Sequence, residues 1–157
     1  EALNVAVFEA QGARVLDLTY DLTPAMDMTL DQSAFGGLCA KCRKGVGGEY
    51  RDPQGAVGLE APHYLTPDTD WPSAPWYSYA TTHEDGARTE LAIVDHPDNP
   101  PTLWHNLAPI SMMNPCTVAP GSMDLTAGQP LRLRYRVAVS DGDMPEGFMD
   151  GLASEAW

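Results

Sequence analysis

The chain has 157 residues, of which 43% are hydrophobic and 20% charged, enough for one domain with a sizeable core and too apolar for a disordered chain. Its formal net charge of −13 opposes phosphate backbones and anionic lipid surfaces, so no nucleic acid and no membrane surface is expected as a partner. No apolar run approaches the roughly 20 residues that cross a bilayer.

The chain starts at Glu1, with neither a methionine nor a signal-like segment, which processing, tag removal or truncation would each explain. Its 14 glycines and 14 prolines are spread along the sequence and cut it into short segments, which favours strands over helices. Of the three cysteines, Cys39 and Cys42 lie in a strand-like run where positions three apart face opposite ways, so a disulfide between them is not expected. A single CxxC without a second cysteine pair reads as half-buried thiols before it reads as zinc or redox chemistry. Such low cysteine usage fits a reducing compartment such as the cytoplasm.

In chain order, Leu16, Leu18, Tyr20 and Leu22 alternate with Asp17, Thr19 and Asp21 until Thr23-Pro24 ends the strand. Met28 and Leu30 alternate with Asp27, Thr29 and Asp31, and the two segments are expected to pair antiparallel. Phe35-Gly36-Gly37-Leu38 then leads into a strand over residues 39–43, its paired glycines permitting a bulge or a close backbone approach. Residues 45–75 carry little periodicity and read as long loops with at most a short strand. Residues 76–81 and 90–94 look like a hairpin turned at residues 83–87. Residues 125–130 read as a turn. It feeds the clearest strand, in which Leu131, Leu133, Tyr135, Val137 and Val139 alternate with Arg132, Arg134, Arg136 and Ala138, before a turn at Asp141-Gly142-Asp143. Only residues 149–157 suit a short helix. The sum is an all-β chain, an antiparallel β-sandwich in one domain over residues 1–157.

Asp95, His96, Asn99, Trp104 and His105 crowd one proline-stiffened segment delivered by the strand over residues 91–94, which is how a site is often built. An imidazole transfers protons near neutral pH, and Asp95 can orient or stabilise it, so His96, His105 and Asp95 are the candidate catalytic groups. Asp and Asn before proline are equally good turn formers, so the same residues can simply cap the loop. Two histidines nine positions apart with a carboxylate also allow a metal, though unspecifically.

Arg132, Arg134 and Arg136 are three of the nine basic residues and share a strand face, which calls for carboxylates on a neighbouring strand or for a ligand. Arg136 with Lys41 is the candidate charged pair for a sugar, and Trp104 and Trp76 are candidate stacking walls, Asn99 adding a planar hydrogen-bonding group. Aromatics in a sandwich also fill cores.

Phe35-Gly36-Gly37-Leu38, Trp76-Tyr77, residues 95–100, Trp104-His105 and Leu133-Arg134-Tyr135-Arg136 followed by Asp141-Gly142 resemble, in that order, the uncharacterised bacterial family labelled methane oxygenase PmoA. The resemblance covers the C-terminal half of a typical member, without the histidine-rich segment of the N-terminal half. It implies a galactose-mutarotase-like supersandwich and a setting in carbohydrate metabolism. Methane oxidation itself needs a membrane-embedded metalloprotein, and this sequence has neither a span nor a tight ligand cluster, so the label sets no expectation of activity.

Three readings follow. The first is a carbohydrate-active or carbohydrate-binding sandwich without a cofactor. The second is a non-catalytic module that completes its sandwich with a second copy or a partner chain. The third is a metalloenzyme built on His96, His105 and a carboxylate.

Overall fold

A computed structural model describes residues 1–58, 71–155 and 157. Seven strands form one antiparallel sheet: β1 (Ala2–Ala10), β2 (Ala13–Leu22), β5 (Gly47–Asp52), β6 (Gly55–Val57), β7 (Trp76–Thr82), β8 (Arg88–Asp95) and β13 (Leu131–Asp141), in the order β1-β2-β13-β8-β7-β5-β6. Three two-stranded ribbons lie beside it: β3 (Met28–Leu30) with β12 (Met123–Leu125), β4 (Ala40–Lys41) with β10 (Met112–Met113), and β9 (Leu103–Trp104) with β11 (Pro115–Cys116). Among the described residues there is one α-helix, α1 (Phe148–Ser154), and a single 3₁₀ turn at Ala108–Ile110. The chain is all-β, as its alternating pattern predicts. Among the described residues, no helix is long and apolar enough to cross a membrane.

The period of two divides the sheet residues between two cores. On the helix face, Val15, Trp76, Ala92, Val94 and Ala138 pack under Phe148, Met149 and Leu152 of α1. On the ribbon face, Tyr50, Tyr77, Tyr79, Ile93, Leu133 and Tyr135 pack against Leu38, Ala40, Trp104 and Met113. Each fully buried apolar side chain of this kind contributes about 1.5–3 kcal/mol over an exposed one.

The hairpin β7–β8 and the long strand β13 stand where the sequence puts them. The expected pairing of residues 16–22 with 28–30 does not form. β2 lies between β1 and β13, and β3 pairs with β12. Charge is one reason: Asp17 and Asp21 stand directly opposite Arg136 and Arg132 in the β2–β13 register, so opposite charges meet across the strands. The strand expected over residues 39–43 shrinks to Ala40–Lys41, and of residues 45–75, expected as long loops with at most a short strand, residues 45–58 supply two strands, β5 and β6, while 59–70 lie outside the described residues. The first strand went unrecognised because Ala2–Phe8 is apolar at nearly every position and hides its alternation. Gln11 (φ 47°) and Gly12 (φ 85°) make the two-residue turn into β2, a left-handed pair that glycine eases.

Candidate functional site

The segment after β8 is tied down by its own polar groups. Asn99 donates from Nδ2 to Asp95 Oδ1 (2.7 Å) and to the Arg134 carbonyl (2.7 Å), while its Oδ1 accepts from the Arg134 amide (2.8 Å). Every hydrogen-bonding atom of that amide side chain is therefore engaged in stapling the loop to β13. Nδ1 of His96 accepts from the Asp98 amide at 3.0 Å, which puts the ring proton on Nε2, facing the Trp157 carbonyl at 3.3 Å. Burial, and next the Arg134 charge, push the His96 pKa down, so the ring stays a neutral cap. Burial raises the Asp95 carboxyl to about 6, against hydrogen bonds from Asn99 and Thr102 that hold it down.

The other sequence candidates separate onto the two faces. Arg136 is buried on the helix face, where Nε and Nη2 take both Asp17 oxygens (2.6 and 2.9 Å) and Nη1 donates to the Leu152 carbonyl (3.0 Å). Its guanidinium also lies 4.6 Å from the Trp157 ring centroid and 5.5 Å from that of Phe8. Arg134 is paired with Asp98 and Arg132 with Asp21, so the arginine ladder is answered by carboxylates of this chain. Lys41 is exposed on β4, between Ala40 and Cys42, which pack toward the opposite face. Lys41 and Arg136 therefore do not line one concave surface, and the buried Arg136 guanidinium is taken up by Asp17 and the Leu152 carbonyl, with Glu155 Oε2 3.5 Å from Nη1.

Trp104 is buried, its indole N–H donates to the Ala74 carbonyl at 2.7 Å, and its ring packs on Tyr77, so it is core and not a stacking wall. His105 is buried on the same side. Its Nδ1–H donates to the Ala34 carbonyl at 2.8 Å, and its ring stacks on Trp71 with centroids 4.3 Å apart. His96 and His105 thus sit on different faces and do not share a metal. Among the described residues, no cluster of three or more His, Cys, Asp or Glu side chains could hold a metal ion.

One sequence candidate does open onto a cavity. Trp76, on the helix face, donates from its indole nitrogen to Asp150 of α1 at 2.9 Å and walls a cavity of about 370 Å³ with Arg51, Gln54, Ser78, Glu90 and Asp150. The β5–β6 turn brings Gln54 there through an Asx turn, in which the Gln54 amide donates to Asp52 Oδ1 at 2.7 Å. Glu90 is buried yet held in place: Ser78 Oγ donates to Oε1 (2.6 Å), the Met144 amide to Oε2 (2.7 Å), and the Arg51 guanidinium stands 3.6 Å away. Arg51, Gln54, Ser78 and Glu90 are not among the sequence candidates. The signal for Ser78 and Glu90 was present as polar residues at inward positions of strands β7 and β8.

A family profile matches residues 1–154. The chain belongs to the DUF6807 family, a family of unknown function. No curated protein and no solved structure matches it. The match runs from β1 into α1, so the main sheet and the cavity walled by Trp76 both lie within the DUF6807 segment.

Proposed function

We propose that this DUF6807 chain is a carbohydrate-binding β-sandwich and that the saccharide enters the cavity walled by Trp76. The observation that carries the reading is the make-up of that cavity. An indole is ringed by a guanidinium, a carboxamide, a hydroxyl and the four carboxylates of Asp52, Glu90, Glu146 and Asp150 within about 370 Å³, a volume in the usual range for small-molecule sites. Sugars are bound by such sets: planar groups hydrogen-bond the hydroxyls, and an aromatic surface takes the C–H face of the ring. Glu90 keeps lone pairs beyond the two that Ser78 and Met144 occupy, and the donors that hold it fix its orientation before a ligand arrives. Titration with a panel of methyl glycosides, followed by tryptophan fluorescence, tests the reading. At least one should bind saturably, and Gln54→Ala should weaken it without moving the unfolding midpoint. A panel in which none binds would sink the idea.

Association with another copy is a second reading, favoured by the state of β1. Every residue of Ala2–Glu9 is exposed, with Leu3 and Val5 at 50% and Val7 at 60%, and among the described residues no strand pairs with its outer edge. A long apolar edge without proline, lysine or bulge invites strand addition. A two-fold axis would pair β1 with its own copy antiparallel, burying a strip that is neutral apart from Glu9 in a strongly acidic chain. Light scattering should find a dimer that Val5→Lys converts to monomer. A monomer at high concentration before substitution would refute this reading.

A further inference from the structure

On the opposite side of the sheet lies a second cavity, of about 460 Å³, between β2 and β13 of the sheet and the chain around Leu30 and Phe35. Tyr20 stands opposite Leu133 and Leu22 opposite Leu131 in the β2–β13 register, which makes a continuous apolar floor. The facing wall is held close by its backbone. A Cβ at Gly36 would lie 2.6 Å from Val118 Cγ2, and one at Gly37, where φ is +81°, 2.7 Å from the Pro115 carbonyl. Glycine at both positions lets the chain pack this tightly and fixes the place of Phe35 on the cavity wall.

The lining is open to solvent. Phe35 is 50% exposed, Tyr20, Leu30 and Leu131 are half-buried, and Asp31 is exposed. A molecule entering here meets apolar side chains that water still reaches, and covering them is favourable in proportion to the area removed from water. The charges of the wall have one sign. It carries Glu1 and Asp31 and, among the described residues, no lysine or arginine, in a chain of net charge −13. Carboxylates at the rim of an apolar floor favour cations and disfavour anions. The Phe35 and Tyr20 rings act in the same sense, since an aromatic face attracts an ammonium group within about 6 Å of its centroid.

We propose that this cavity binds a small hydrophobic cation, an amine with an aromatic or alicyclic body, the body lying on the floor of Tyr20 and Leu131 beside Phe35 and the ammonium at the rim near Asp31. The site is distinct from the cavity walled by Trp76 and stands or falls separately from it.

Three soluble probes share one skeleton and differ in charge: 2-phenylethylamine is a cation at neutral pH, 2-phenylethanol is uncharged and phenylacetate is an anion. Ligand-observed NMR on the whole chain should show the amine binding in the millimolar range, about three- to fivefold tighter than the alcohol for one exposed ion pair, with phenylacetate weaker than either. Asp31→Asn, at an exposed position, should bring the amine close to the level of the alcohol and leave the alcohol unchanged. Leu131→Trp, at a half-buried wall position, should exclude all three; should that variant not fold, the Asp31→Asn comparison decides alone. The proposal is overturned by no binding of any probe up to about 10 mM, by phenylacetate binding as well as the amine, by a preference for the amine undiminished in Asp31→Asn, or by binding that persists in a folded Leu131→Trp.

Discussion

Arg136→Ala should unfold this protein readily while telling nothing about ligand binding, because the guanidinium is a structural keystone. Truncation removes both bonds to Asp17 and the one to the Leu152 carbonyl, and it empties the space between Phe8 and Trp157. Arg136 is 3% exposed, so solvent replaces little of what is lost, and Asp17 keeps a charge beside a desolvated face. Breaking one partner of a buried ion pair costs about 3–5 kcal/mol. At about 2–4 °C per kcal/mol for a domain of this size, the midpoint should fall by about 10 °C. Arg136→Lys should recover only part of this, since an ammonium cannot take both Asp17 oxygens and the Leu152 carbonyl in one plane. Urea unfolding of the three proteins measures the series. A loss under about 1 kcal/mol for Arg136→Ala, or full recovery with lysine, would refute the reasoning and return Arg136 to the list of ligand-binding candidates.

Asp95→Asn should be pH-dependent in its effect. The folded carboxyl titrates at about 6 against the ordinary 3.8, so the native state holds a proton that the unfolded chain has already lost between those values. That stabilisation is complete below about pH 4 and lost as pH rises through about 6. The asparagine variant should therefore match the parent at pH 4 and exceed it by about 3 kcal/mol at pH 8, and equal differences at both would be inconsistent with a desolvated carboxyl. Asn99→Ala removes two donors and one acceptor from the staple to β13 and should cost about 2–3 kcal/mol; glycoside affinity should not change, and a large change would make Asn99 a ligand group. His96 has its folded pKa lowered from 6.5. Its contribution is present above that value and lost as pH falls through the folded one, so His96→Asn should flatten part of the acid limb of a stability profile.

The sheet was largely readable because alternation is a local signal: β7, β8 and β13 each present strict or near-strict inward apolar positions. β1 escaped because Ala2–Phe8 is apolar at almost every position, a pattern that alternation cannot resolve, and β5 because Gly47-Gly48 carries no side chain to alternate. Partner choice was less accessible. Nothing between residues 16 and 30 says that β2 will turn from its neighbour in sequence to a strand more than a hundred residues away, unless Asp17 and Asp21 are matched with Arg136 and Arg132.

The candidate site was legible in its residue types and misleading in its location. His96, Asn99 and Asp95 look like chemistry in sequence, yet those side chains bond one another and the backbone of Asp98 and Arg134. Trp76, a sequence candidate, lies on the lining of the cavity beside α1. Arg51, Ser78, Gln54 and Glu90 come together with it only through sheet register and the placement of α1, which no single segment encodes.

The saccharide reading of the cavity walled by Trp76 is tested most directly by one comparison: calorimetric titration of methyl glycosides into the parent chain and into Gln54→Ala. Gln54 sits on an exposed turn, so its truncation should leave the unfolding midpoint in place. The account predicts saturable binding of at least one glycoside to the parent and an affinity at least about fivefold lower for the variant, the loss of one net hydrogen bond. Binding of equal strength in both proteins, or to neither, would contradict it.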